Sequence, residues 1–249
     1  MTTLTVLADP PRPGLVLPDL AASAPVSEAE AADLYAAMLK DVLAVADAAG
    51  GDLLVNYRSD DALDIAGETS AEAAVRAVAA DALGDLDDVR FEVQVGSTFA
   101  ARVGNTVTHL LREEGRTSVG VVRPTAPLLT RTDVDGASMK LRSAPVVLGP
   151  APGGDVHYAA FAEAVDFAGA FDPPALPTLT ARARDAGHDV EFVEMHPVVR
   201  TGADLATVLA VLAARGRAGR PRPDHLAAAV DDLGLRLAVE DGSSAVVRE

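Results

Sequence analysis

The chain has no cysteine, no tryptophan and only two lysines, Lys40 and Lys140, in 249 residues. Without cysteine there is no disulfide scaffold, no thiol nucleophile and no Cys-built zinc or iron–sulfur centre. Long hydrophobic runs are missing as well, and no apolar stretch approaches the ~20 uncharged residues of a membrane span. The opening Met1-Thr2-Thr3-Leu4-Thr5-Val6-Leu7 lacks the basic start and cleavage pattern of a signal peptide. The expectation is a globular, cytoplasmic protein. Cations are scarce too: 21 Lys+Arg stand against 37 Asp+Glu, a formal charge of −16. A phosphate backbone would repel such a surface, which argues against nucleic acid as a partner.

The same imbalance has a solvent reading. Arginine supplies nearly all the positive charge, aspartate outnumbers glutamate about two to one, and the sequence pI is ≈ 4.6. In molar salt the repulsion between like charges is screened within ~3 Å. The composition fits a halophile cytoplasm.

Hydrophobic periodicity gives alternating strands and helices. Thr3–Ala8 reads as an apolar strand that stops at the Pro/Gly-rich run Asp9–Gly14. Ser27 and Glu30 form a capping box for a helix whose apolar residues, from Ala31 to Ala46, recur at three and four. Leu53–Tyr57 is a buried-type strand. Thr69 and Glu72 suggest a second box, opening a helix to about Leu83. Phe91–Val95 alternates like a strand with one wet face near a sheet edge. Thr98–Glu114 is helical with Gly115 as its stop, and Ser118–Val122 and Val146–Leu148 are short buried strands. Leu176–Ala186 is a helix, Val190–Met195 a strand, and Asp204–Ala214 a helix. Such alternation predicts an α/β fold, three layers with a mainly parallel central sheet. Residues 1–214 form this domain, 215–223 a basic Gly/Pro linker, and 224–249 a helix–strand appendage.

Ligands of open α/β sheets bind at the carboxyl ends of the strands. That rule selects the loops Asp9–Leu20, Arg123–Thr130, Gly149–His157 and His196–Asp204. No phosphate-loop, dinucleotide, nucleophile-elbow or zincin motif occurs. His109 falls inside a helix and reads as packed or surface, while His157 and His196 fall in selected loops. Asp133 and Asp135 make an Asp-x-Asp at a helix start, where capping accounts for them better than metal binding.

At these loops the chain resembles a known family. Asp9-Pro10-Pro11-Arg12-Pro13-Gly14-Leu15-Val16-Leu17-Pro18-Asp19-Leu20 is similar to an opening Lys-x-Pro-x-Pro-Gly-x-Val-Lys-Thr-Arg-Leu. It is followed by Leu34-Tyr35-Ala36-Ala37-Met38-Leu39-Lys40-Asp41, close to a Leu-Tyr-x-Ala-Met-Leu-x-Asp stretch. Val147-Leu148-Gly149-Pro150-Ala151, then Gly153-Gly154 and Tyr158, resembles Leu-Gly-Pro-Ala-x-Asp-Gly-Gly-Tyr-Tyr. Thr201-Gly202-Ala203-Asp204-Leu205 resembles the end of Asp-Val-Asp-Thr-Pro-Glu-Asp-Leu. These are motifs of a bacterial and archaeal glycosyltransferase-like family of unknown function with the GT-A (nucleotide-diphospho-sugar transferase) fold, distantly similar to 2-phospholactate guanylyltransferase. The similarity runs over roughly residues 3–214.

The departures fall on charged positions. Asp9 replaces the opening Lys, Leu17-Pro18-Asp19 replaces Lys-Thr-Arg, Thr125 stands at the metal-type Asp, and Arg200 at the last Asp of the late run. Transfer on this fold needs cations at the pyrophosphate and carboxylates around a divalent ion. The swaps therefore point to a degenerate copy without metal-dependent catalysis that retains nucleotide, nucleotide-sugar or phosphate binding, with no metal of its own. Candidate ligand-binding residues are Asp9, Pro13, Gly14, Arg123, Thr125, Gly149, Gly153, Gly154, Asp155, His157 and Arg200, with Arg123 and Arg200 replacing the metal as charge partners. Two alternatives stay open. One is an active transferase holding Mg²⁺ or Mn²⁺ on Asp133, Asp135 or Asp155. The other is a scaffold whose C-terminal appendage docks a partner, such as a second copy in a homodimer.

Overall fold

The computed structural model describes residues 2–240 and 242–249. Strand β1 (Thr2–Ala8) leads through a Pro-rich loop to the short helix α1 (Pro18–Ser23) and the long α2 (Glu28–Ala48). The Ser27–Glu30 capping box forms in full, and the positive φ of Gly50 ends the helix turn before β2 (Asp52–Tyr57). Then follow α3 (Ala71–Leu83), β3 (Val89–Val93), α4 (Phe99–Arg112), β4 (Ser118–Val122) and α5 (Arg131–Lys140). The chain continues through β5 (Val146–Ala151), β6 (Asp155–Phe161), α6 (Ala175–Asp185), β7 (Val190–Phe192) and α7 (Gly202–Arg217). It closes with α8 (Asp224–Asp232) and the hairpin β8 (Leu235–Glu240) and β9 (Ser243–Arg248).

Seven strands form one sheet in the order β3-β2-β1-β4-β6-β5-β7. Every pairing is parallel except the two made by β6. Alternation along the strands feeds two cores. Leu4, Val6, Val55 and Val147 pack with α2, α3, α5 and α7, while Leu7, Leu54, Val121 and Leu148 pack with α4 and α6. The result is the expected three-layer α/β architecture. No helix among the described residues is long and apolar enough to cross a membrane.

Several elements depart from the sequence expectation, each for a local reason. Helix α3 is capped by Ser70, whose side chain accepts from Ala73 N–H, and no Thr69–Glu72 box forms. Arg12 occupies the Thr69 carbonyl, and Glu72 turns to Tyr57 and Arg76 instead. The edge strand β3 lies two residues earlier than Phe91–Val95 and leaves Val93 and Val95 exposed. Strand β7 ends at Phe192, and the chain then leaves the sheet. Helix α7 runs on to Arg217, three residues into the Gly/Pro segment. Hairpin β8–β9 supplies a strand beyond the one expected and packs on α7, while α8 packs on α2.

The largest departure is the stretch 149–157, expected as a loop. Strand β5 continues to Ala151, a tight turn at Pro152–Gly154 uses positive φ at Gly153 and Gly154, and β6 starts at Asp155. Gly149 pairs with Tyr158 but Pro150 pairs with Val156, so His157 is an extra residue without an opposite number. It makes a β-bulge.

Candidate functional site

The carboxyl ends of β1, β2 and β4 and the start of β6 meet at one edge of the sheet. Asp9 follows β1, and its backbone N–H donates to the Tyr35 hydroxyl at 2.9 Å, which explains why the Leu-Tyr stretch of α2 belongs with this loop. Arg58 follows β2 and grips Asp9 with both ends of its fork, Nε to Oδ1 at 2.5 Å and Nη2 to Oδ2 at 2.8 Å. The Asp9 carboxylate is thus neutralised by a cation from the next strand. The Asp9 carboxylate holds Arg58 above the ordinary arginine range.

The helix α4 begins at the same edge, with Thr98 capping Ala101 N–H. Arg102 lies one turn in. Burial, and then the neighbouring Arg58 cation, push its guanidinium below the usual range. Its Nε is buried without a hydrogen-bond partner among the described residues. Two cations approach the Phe99 ring, whose centroid is 4.5 Å from Arg123 Cζ and 6.0 Å from Arg102 Cζ.

Arg123 follows β4. Its Nε donates to the Val156 carbonyl at 3.1 Å, and Nη2 reaches Asp155 Oδ1 at 3.0 Å. Burial lowers its pKa, and the Asp155 carboxylate opposes that effect. Arg200, on the loop before α7, places Nη1 2.9 Å from Asp155 Oδ2. That approach is an ion pair by distance, yet its angles miss those of a hydrogen bond, and Oδ2 stays buried without a donor. Arg123 is 18% exposed and Arg200 46%, so the outer guanidinium is the more available of the two. Arg58, Arg102, Phe99, Arg123, Asp155 and Arg200 thus form one ridge. Four guanidiniums there face two carboxylates, a local excess of positive charge on a chain of charge −16.

Of the residues singled out in the sequence, the ridge brings together Asp9, Arg123, Asp155 and Arg200. Thr125 is next to it, its carbonyl accepting from Val199 N–H at 2.8 Å. Pro13 lies elsewhere, in a cleft of about 730 Å³ with Arg12 and the segment Ile65–Thr69. Gly14 has φ +76 and packs on Glu28 and Ile65. Gly153 and Gly154 serve the turn before β6. Gly149 clears space: a Cβ there would stand 2.5 Å from His157 Nε2. His157 is fully buried, not in a loop, and burial presses its pKa down to about 4. Asp133 completes a capping box with Thr130, and Asp135 pairs with Arg131 on the exposed side of α5. Asp135 also lines a cleft at the opposite, amino-terminal edge of the sheet with Thr2 and Ser138. Asp133, Asp135 and Asp155 therefore form no shared ligand set. His109 is exposed on α4.

Sequence reasoning missed Arg58, Phe99 and Arg102. Arg58 carried a usable signal, because it directly follows the strand Leu53–Tyr57 and the carboxyl-end rule applies to it. Phe99 and Arg102 are spaced i, i+3 at the opening of a helix, which only the strand order turns toward the site.

Solved structures share the fold. The chain superposes on a candidate nucleotide-diphospho-sugar transferase from Desulfovibrio desulfuricans G20 with a TM-score of 0.74 and 18% identity, over 93% of this chain and 96% of the other. This is the nucleotide-diphospho-sugar transferase-like fold. A 4-diphosphocytidyl-2C-methyl-D-erythritol synthase from Anaerococcus prevotii DSM 20548 matches with a TM-score of 0.52 and 13% identity, over 85% and 98% of the two chains. No family model and no curated protein sequence matches the chain. Within this fold the ridge occupies the edge at which open α/β sheets receive ligands.

Proposed function

We propose that the protein binds the phosphates of a nucleotide or nucleotide sugar along the arginine ridge, without a divalent ion, and that it lacks metal-dependent transfer. The observation that carries this reading is Arg102: a partly buried guanidinium with an unpartnered Nε, pressed by Arg58, at the edge where ligands bind. A phosphate would supply the missing acceptor and offset the repulsion. Planar guanidiniums suit bidentate phosphate recognition. Loss of transfer rests on the residues at the metal positions. Thr125 and Arg200 offer no carboxylate, and Asp155 is already held by two arginines. Hard cations require such oxygens.

One observation favours a second reading. Asp9 and Asp155 already neutralise Arg58 and Arg123, as they would in a scaffold that binds nothing at this edge and works through its C-terminal hairpin, for instance as a homodimer. A working transferase with substitute Mg²⁺ or Mn²⁺ ligands is the remaining alternative.

Thermal denaturation separates these three. The protein is heated with nucleotides and nucleotide sugars, each with and without Mg²⁺ or Mn²⁺, against metal-only controls and across a potassium chloride series. A ligand that prefers the folded state raises the melting temperature. The proposal expects a metal-independent rise that shrinks with salt. A rise requiring metal would replace it with an active transferase, and no rise with any ligand would leave the scaffold.

A further inference from the structure

A second group of polar side chains lies where the loop between β7 and α7 meets the start of α5. Asp133, Glu194 and His196 each offer one ligand atom there, all within 4.8 Å of one another. Asp133 and His196 are both buried, and His196 Nε2 lies 3.0 Å from Asp133 Oδ2. Thr130 N–H and Oγ1–H donate to that same Oδ2, at 2.8 and 2.6 Å. The capping box therefore fixes the carboxylate before anything binds. Glu194 closes the group from the solvent side.

The neighbouring His157 provides an independent sign. Its ring centroid is 5.0 Å from that of His196. Nε2 is 2.9 Å from the Glu194 carbonyl, which can only accept, so Nε2 carries the proton and Nδ1 is the bare lone pair. That Nδ1 is buried with no hydrogen-bond partner among the described residues. A buried, unsatisfied imidazole nitrogen on the ring packed against His196 is a group that a metal-bound water would satisfy.

We propose that Asp133, Glu194 and His196 form a binding site for a divalent transition-metal ion of the zinc class, separate from the arginine ridge. Donor chemistry sets the class: one imidazole and two carboxylates suit zinc, manganese or cobalt, whereas magnesium and calcium favour oxygen alone. Tetrahedral N and O ligands on one zinc lie about 3.4 Å apart, so the exposed Glu194 closes the set by moving about 1.4 Å or less. Water completes the shell. The ion ties the 193–201 loop, which carries Arg200, to the start of α5. Its role is to hold that loop, and the inference stands whether or not the ridge binds phosphate.

The test is a titration of the whole protein with Co²⁺, followed by displacement with Zn²⁺, in 1 M potassium chloride to suppress diffuse binding to an acidic surface. Parent, Glu194→Gln, His196→Gln and the remote control Glu163→Gln are compared by visible absorption and calorimetry. The expected result is one equivalent of Co²⁺ with the intense visible bands of low coordination. Its affinity should fall at least tenfold in Glu194→Gln and His196→Gln and stay unchanged in Glu163→Gln. Glu194 is exposed, so its variant folds even if His196→Gln does not. Absence of a saturable single equivalent, or equal affinity in parent and Glu194→Gln, overturns the proposal.

Discussion

Replacing Asp155 by Asn keeps the size of the side chain and removes one negative charge from between two guanidiniums. Removing one member of a buried ion pair costs about 3–5 kcal/mol, because the surviving charge is left unpaired. Three features reduce that figure here. Arg123 keeps its 3.1 Å bond to the Val156 carbonyl and its stack on Phe99, and the half-exposed Arg200 can turn to water. The asparagine oxygen can also still accept from Arg123. About 2–3 kcal/mol remains, and for a chain of this length each kilocalorie lowers the melting temperature by roughly 2–4 °C, so a fall of roughly 4–12 °C is expected. Inorganic pyrophosphate should act in the opposite direction. With the competing carboxylate gone, it should bind the variant more tightly than the parent, and at about 100 times its dissociation constant it should return about 2.7 kcal/mol. Differential scanning calorimetry with and without pyrophosphate reads both numbers. A fall below 2 °C would show that the Asp155 pairs are worth little. A full fall with no pyrophosphate rescue would refute the ridge as an anion site.

Further outcomes follow from other parts of the molecule. Thr5 is fully buried with its hydroxyl unpartnered among the described residues, so Thr5→Val should raise stability by about 1 kcal/mol in urea denaturation, as an unsatisfied polar group is removed. Gly149→Ala should lower it by about 1–3 kcal/mol, since the new methyl meets the His157 ring, and a wild-type denaturation midpoint would contradict that packing. Glu114 is held down to about 2 by hydrogen bonds from Arg90 and Arg116. Its folded pKa lies below the unfolded value, so its stabilisation is complete above pH ~4.5 and disappears as pH falls through about 2. Solvent screening limits that contribution to about 1 kcal/mol, and Glu114→Gln should flatten the acid limb of the stability curve by that amount. If the acidic composition reflects concentrated salt, the melting temperature of the parent should climb steadily between 0.1 and 2 M potassium chloride, and a flat profile would remove that explanation.

The sequence was most legible where one periodicity ran uninterrupted. The apolar face of α2 and its Ser27–Glu30 cap, the strand Ser118–Val122, and the alternating edge strand near Phe91 all follow from local rules. The hairpin of β5 and β6 was obscured because Pro150, Gly153 and Gly154 are loop punctuation in any single-chain reading. Here Pro150 sits at the register shift, and both glycines make one tight turn. The charged edge was half legible. Asp9, Arg123 and Asp155 could be flagged because they adjoin strand ends, and Arg200 because it falls in a motif resembling the family's late run, but nothing local says that Asp9 is neutralised by Arg58, 49 positions later. Reading Asp9 as a loss of attraction was therefore incomplete. A cation on the next strand pairs with it. Glu194 carries no sequence signal at all, since it becomes a neighbour of Asp133 only when β7 ends early and the chain turns away from the sheet.

The bulge at His157 also bears on how such an edge can change. Val156 lies in the α4–α6 core, as do Ala159 and Phe161, although an unbroken strand would send it to the other face. The extra residue shifts the count, and with it the side of the sheet on which Asp155 emerges to meet Arg200. Deleting that single residue would restore strict alternation with Val156 and Asp155 still on the faces they now hold, because Val156 would then stand next to Tyr158. The bulge thus absorbs one residue of chain length while the charged side chains of this edge keep their places.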